Sequence, residues 1–167
     1  MALRNIVKAG DSILNKVCRP VTKFDSKLHT LLDDMAETLD NADGVGLAAP
    51  QVGIMRRLAL VLETNVGEDE DEFVIEFINP EILEVSGEQK GAEGCLSVPG
   101  EYGIVTRPDY VRARAQDRNG EWFEYEGTGL TARCMCHEFD HLDGHLFTEK
   151  CERMLTPEEL GMSGDGE

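Results

Sequence analysis

The run Cys136-His137-Glu138-Phe139-Asp140-His141-Leu142-Asp143-Gly144 constrains this chain more than any other stretch. Written as a helix, it puts two histidines four residues apart on one face, about 6 Å apart along the axis. Their imidazoles then stand side by side and can grip one metal ion. Glu138, one step round the helix, can reach a water beside that ion without being a ligand itself. The pattern is HExxH, and its chemistry is metal-assisted hydrolysis. With only three fixed positions, it also fits a solvated helical turn carrying two unrelated histidines. The two readings part on whether the remaining sequence supplies a further ligand.

The surrounding pattern gives that helix its setting. Thr128 can cap it, a span over 129–142 follows, and Gly144 suits the left-handed turn that ends it. A second long helix starts at Asp25 or Ser26 and runs to about Asn41. Leu28, Leu31, Leu32, Met35 and Leu39 form its apolar stripe, with His29 just off it as an ordinary surface or capping residue. Asp11 to Leu14 reads as a single helical turn, and Pro20 stops regular structure. Strands are expected at Leu58–Leu62, at Phe73–Ile78 and Glu81–Val85 with a break at Asn79-Pro80, and at Tyr110–Gln116 and Trp122–Tyr125. Asn119-Gly120 is a hairpin turn between the last two. Glu68 to Glu72, five acids in a row, reads as an exposed loop, and Gly91 to Gly100 as neither strand nor helix.

Hairpin signals outnumber crossover signals. The expected fold is therefore α+β, with antiparallel β-sheets packed around the central HExxH helix and a second long helix near the N-terminus. Residues 1–155 read as one catalytic domain, and 156–167 as a disordered acidic tail.

Charge and cysteine content narrow the partners. Acids outnumber bases 33 to 16, for a net charge of -17, a surface that repels phosphate backbones; no direct nucleic-acid binding is expected. No apolar run approaches the roughly 18 residues of a membrane span. Met1 to Gly10 lacks the features of a signal or transit peptide, so the protein is read as cytoplasmic, with no membrane partner. The five cysteines are odd in number, and no disulfide framework is expected. Core packing or metal binding is left for them.

A hydrolytic metal site commonly takes three protein ligands and keeps one position open. Cys134 lies seven residues before His141, about 10.5 Å along the axis, too far for one short thiol and two imidazoles in single file to close on an ion. Cys136 points off the histidine face. Cys95, between Gly94 and Leu96 in a loop-like stretch, is the better candidate, although its spacing fits a buried thiol in a turn equally well.

Three stretches together change this picture. Gly44-Val45-Gly46-Leu47-Ala48-Ala49-Pro50-Gln51, then Glu93-Gly94-Cys95-Leu96-Ser97, then His137-Glu138-Phe139-Asp140-His141 resemble, in order, the three motifs of the peptide deformylase family. The resemblance runs from about residue 2 to 150. It implies a metal-dependent hydrolase that removes the formyl group from the N-terminal formyl-methionine of newly synthesised proteins. It implies Cys95, His137 and His141 as ligands of one divalent ion, natively Fe2+, with Zn2+, Ni2+ or Co2+ as substitutes. Glu138 is then the proton carrier, and the Gln51 amide and the Leu96 N–H are donors to the oxyanion. Val45, Gly46 and Gly94 pair with the peptide backbone as an added strand. Leu130, Cys134, His137 and the stem of Glu93 line the methionine pocket. Gly46 leaves room for the peptide. Arg107 reads here as a surface arginine.

The chain departs from the family's commonest form at Cys136, where glutamine is usual; off the metal face, this implies a change behind the ligands with activity kept. Its short acidic end makes ribosome docking by a basic tail doubtful and resembles Gram-positive or clostridial members. Nascent polypeptides, with transient ribosome proximity, are the implied partners, in a bacterial cytoplasm. A general zinc metallopeptidase is the rival enzyme; it needs a third ligand beyond His141, where only His145 and a few acids stand. A non-catalytic metal-binding scaffold would have no use for Glu138.

Overall fold

The computed structural model describes residues 2–159. Helix α1 covers Ser26–Asn41, and the Asp25 side chain caps it by accepting the Leu28 N–H at 3.1 Å. Strands follow as β1 (Gly46–Ala48), β2 (Leu58–Glu63), β3 (Phe73–Ser86), β4 (Gln89–Cys95), β5 (Val98–Arg107), β6 (Tyr110–Gln116) and β7 (Trp122–Thr128). Helix α2 spans Gly129–Leu142, and a two-residue β8 (Arg153–Met154) closes the list. Five strands form one sheet in the order β1-β2-β3-β6-β7 and three form another, β4-β5-β8, with every pairing antiparallel. The mixed α+β class with antiparallel sheets is as the sequence predicts.

The run Leu58–Val61 is continuously apolar because both faces of β2 are covered. Leu58 and Leu60 pack with Leu28, Leu32, Met35 and Leu39 of α1. Val61 faces the other way and joins Phe77, Val111, Ala113 and Ala115 against Ala132, Met135 and Phe139 of α2. The large sheet is thus held between α1 and α2. Edge-on packing of Phe139 against Phe77, with ring centres 5.2 Å apart, fixes α2 on its face.

Two expected features differ. The break at Asn79-Pro80 is a bulge inside one strand: Ile78 pairs with Gln116, but Glu81 with Arg114. Asn79, at φ 53°, turns its side chain onto the Val21 backbone at 2.8 and 2.9 Å and so stitches the N-terminal segment to the sheet. The stretch from Gly91 is not irregular; it belongs to the β4–β5 hairpin. Its glycines hide the strand signal. At Gly94 the reason is space: a Cβ there would lie 2.5 Å from the Tyr102 ring. The register shifts between Gly94 and Cys95, the kind of irregularity that re-aims a side chain at a strand end.

Of the tail expected from residue 156, Thr156 and Glu159 cap each other's turn and Glu159 pairs with Arg153 at 2.7 Å. Residues 160–167 lie outside the described residues. Among the described residues, no helix is long and apolar enough to cross a membrane.

Gly144 ends α2 at φ 82°, and a Cβ there would lie 2.7 Å from the Asn15 carbonyl carbon. Gly144→Ala should destabilise the protein by about 1–2 kcal/mol from the left-handed backbone alone, read as a lower urea midpoint. An unchanged midpoint would mean that this turn does not hold the helix end.

Candidate active site

Three elements bring the site together. Helix α2 carries His137, Glu138 and His141; the bulged end of β4 carries Cys95; the turn after β1 carries Gln51. The Cys95 thiol and the two imidazoles place one donor atom each within 4.8 Å of one another. Cys95 Sγ is 3.4 Å from His141 Nε2. The two rings stand edge to face with centres 4.9 Å apart. Neither Cys134 nor Cys136 joins this cluster; both are buried, and burial pushes their thiols up to about 12 and about 11.

Behind the cluster lies a buried polar clamp centred on Glu93. The His137 Nδ1–H donates to Glu93 Oε2 at 2.6 Å, which turns Nε2 toward Cys95 and His141. Arg107 donates twice to the same carboxylate, at 2.6 and 3.1 Å, and Arg133 once more at 2.9 Å. Arg107 also reaches Asp140 at 2.6 Å. At 5% exposure Arg107 is not the surface arginine the sequence suggests. Arg133 gives a fainter signal: a charged residue one turn before His137, on a helix that is otherwise mostly buried.

Charge follows this geometry. Burial alone would raise the Glu93 carboxyl, but bonds from His137 and Arg107 outweigh it and hold it at about 2. Burial opposes charge on His137 too, yet Glu138, Cys95 and Glu93 around it raise it to about 10. Burial, with His137 beside it, keeps His141 neutral, at about 3. Burial pushes Glu138 up to about 7, against the lowering effect of His137 beside it. Glu138 Oε2 lies 3.9 Å from His137 Nε2, and its Oε1 is buried without a protein partner among the described residues.

Gln51 is held in one orientation. Its carboxamide oxygen accepts the Ala48 N–H at 2.9 Å, and its NH2 group donates to Ser97 Oγ at 3.1 Å and Cys95 Sγ at 3.4 Å. An extended N-terminal segment straps both loops, with Val7 N–H on the Gln51 carbonyl at 2.7 Å and Ala9 N–H on that of Ser97 at 2.8 Å. Gly46 has a reason the sequence did not give: a Cβ there would lie 2.8 Å from the Glu138 carboxyl carbon. Val45, Gly46, Gln51, Glu93, Gly94, Cys95, Leu96, Leu130, Cys134, His137 and Glu138 all border one cleft of about 570 Å³. His141 lies behind its wall, almost wholly buried. His145 is outside the cluster, half exposed and facing Glu149 at 3.4 Å.

The donor set suits a divalent ion of borderline softness: one thiol that ionises on ligation and two imidazoles with a nitrogen each turned inward. An α+β fold with such a cluster beside a buried glutamate has the layout of a metal-dependent hydrolase. The polypeptide deformylase family model matches residues 3–156. The chain is 56% identical over 155 residues to the peptide deformylase of Agathobacter rectalis, covering 93% of this chain and 94% of that protein. It is 51% identical over 160 residues to peptide deformylase 1 of Bacillus subtilis, covering 96% and 97%. The crystal structure of the Thermotoga maritima peptide deformylase superposes with a TM-score of 0.82 at 40% identity, over 90% of this chain and 98% of that one. This chain belongs to the polypeptide deformylase family.

Glu93→Gln should leave two buried guanidiniums facing a neutral amide, a loss of about 3–5 kcal/mol visible as a lower thermal midpoint. The Glu93 carboxyl is depressed in the folded chain from 4.5 to about 2. Its contribution to stability is therefore full above pH 4.5 and fades as pH falls toward about 2. The gap between wild type and Glu93→Gln should close over that window; a gap constant with pH would contradict the assignment.

Proposed function

We propose that the chain hydrolyses the formamide of N-terminal formyl-methionine on newly made polypeptides, releasing formate. The observation that carries this reading is the convergence of Cys95, His137 and His141 beside Glu138 at the floor of a peptide-sized cleft, in a member of this family. Those three residues would hold one divalent ion, Fe2+ in the cell, with Zn2+, Ni2+ or Co2+ as substitutes. When bound, the ion supplies Lewis acidity and makes water nucleophilic near neutral pH.

The chain's own groups account for the remaining chemistry. Glu138 accepts a proton from the attacking water and delivers it to the amine nitrogen as the C–N bond breaks. The Gln51 NH2 group and the Leu96 N–H donate to the oxygen that gains charge; the Ala48 and Ser97 bonds hold the Gln51 amide in place while its longer bond, to Cys95 Sγ at 3.4 Å, is exchanged for one to that oxygen. The peptide pairs with main-chain groups at Val45, Gly46 and Gly94. Its methionine side chain enters between Leu130, Cys134 and His137, with the Glu93 stem as part of the wall. Backbone pairing carries no side-chain identity, which suits an enzyme that must act on many proteins. Glu93 touches the pocket, but its carboxylate is spent on Arg107, Arg133 and His137, so its main part is to orient the His137 ring.

Residues 1–155 act on this reading as one catalytic domain, in a bacterial cytoplasm and transiently close to the ribosome, where such substrates emerge. The metallopeptidase alternative has no support at His145, which does not face the cluster.

Glu138→Ala should keep the metal and lower formate release from formyl-Met-Ala-Ser by about 10²–10⁴-fold; undiminished release would remove Glu138 from the proton path. Gly46→Ala should fold, yet lose turnover because its Cβ displaces the Glu138 carboxyl; full turnover would show that the carboxyl does not need its present place.

A further inference from the structure

The Cys95 thiol and the two histidines belong to different layers. Cys95 ends β4 in the three-stranded sheet, whereas α2 is packed by its apolar face on the five-stranded one. The separation of sulfur from imidazole therefore depends on what registers the β4–β5 hairpin against α2. Arg133 stands at that junction, on α2 one turn before His137, and is 7% exposed.

Its guanidinium donates from Nη1 to Glu93 Oε1 at 2.9 Å, and from Nη2 to the carbonyls of Val105 at 3.2 Å and Gln89 at 3.4 Å. One side chain on the helix thus grips both strands of the hairpin, and grips β4 at two points, four residues apart. Gly91 lies between them, and a Cβ there would sit 3.5 Å from Nη2, so the strand passes close over the guanidinium. Arg107 makes a second link of a different kind. It leaves β5, binds Glu93 within the same hairpin, and reaches α2 at one point, Asp140, at 2.6 Å, without touching β4's backbone. A buried arginine must satisfy its donors or lose solvation without return. Here all its partners but the helix it grows from are on the hairpin.

We propose that Arg133 is a positioning residue that sets the β4–β5 hairpin against α2 and so fixes the Cys95 sulfur relative to His137 and His141. This rests on the reading of those three residues as metal ligands. Arg133 does not touch the ion or the formyl group. It acts through Glu93 and through two backbone carbonyls, one of them six residues before Cys95 on the same strand.

The choice of guanidinium over ammonium follows. A lysine could keep one bond to Glu93, but it lacks the planar fork that reaches a carboxylate and two carbonyls at once. Arg133→Lys is therefore expected to fall between wild type and Arg133→Met.

The test uses the full chain loaded with Co2+, whose thiolate charge-transfer absorption in the near ultraviolet reports the sulfur bond separately from the imidazoles. Wild type should show the band. Arg133→Met should bind Co2+ about 10–100-fold more weakly and show a weakened band, and Arg133→Lys should be intermediate in both. Circular dichroism of each apo-protein records whether the fold survives; should Arg133→Met not fold, the lysine variant alone decides, because it keeps the charge. An unaltered band and Co2+ affinity in a folded variant would overturn the positioning role while leaving the metal reading intact. A wild-type chain that binds Co2+ with no such band would overturn both.

Discussion

The bonds that converge on the Glu93 carboxylate hold this site together. It takes Nδ1–H of His137, two bonds of Arg107 and one of Arg133, all in a buried setting where each is worth more than in water. The same oxygens that orient an imidazole on α2 are fixed to β4, two residues before Cys95. One carboxylate therefore ties the helix that supplies nitrogen donors to the hairpin that supplies sulfur. Other polar links between the two, such as Arg133 to the Gln89 and Val105 carbonyls and Arg107 to Asp140, do not touch the His137 ring.

Around that clamp, the fold divides its labour by face. β2 is apolar from Leu58 to Val61 because α1 and α2 lie on opposite sides of it, and the α2 histidines meet Cys95 and Glu93 of the β4–β5 hairpin. The cluster thus sits at the boundary between the layers, where a cleft can open without breaking either core. Its local charge is set by that boundary and owes little to the overall charge of -17. Glu93 and Asp140 are matched by Arg107 and Arg133, with Lys150 also on Asp140, so the Cys95, His137 and His141 cluster rests on a set of ion pairs. Glu138 stays apart from those pairs, and burial raises its carboxyl.

Much of this was legible in the sequence where one residue's role depended on its neighbours in the chain. The stripe of Leu28, Leu32, Met35 and Leu39 predicted α1, and the Asn119-Gly120 turn predicted the β6–β7 hairpin, because helical period and turn chemistry are local. The spacing of His137 and His141 puts both on one helix face, which makes them candidates but does not by itself set them apart from two unrelated histidines. The β4 strand was not legible, since Gly94 is there to admit the Tyr102 ring, which a pattern along the strand does not reveal. Arg107 and Arg133 were missed for the same reason: nothing beside them reveals that Glu93 will be their partner. The sequence offers Gly46 as room for a substrate, and the structure adds that Glu138 lies against it. Cys95 stood between two readings until the motifs were taken together, and its aim depends on a register shift that no local pattern announces.

The proposed chemistry needs a sulfur from one sheet and two nitrogens from a helix packed on the other to meet at one ion. X-ray absorption at the metal edge of anaerobically purified protein tests this most directly. The expected first shell has one sulfur at about 2.3 Å and two imidazole nitrogens at about 2.0–2.1 Å. A loaded protein whose metal shows nitrogen and oxygen neighbours alone, with no sulfur, would contradict it.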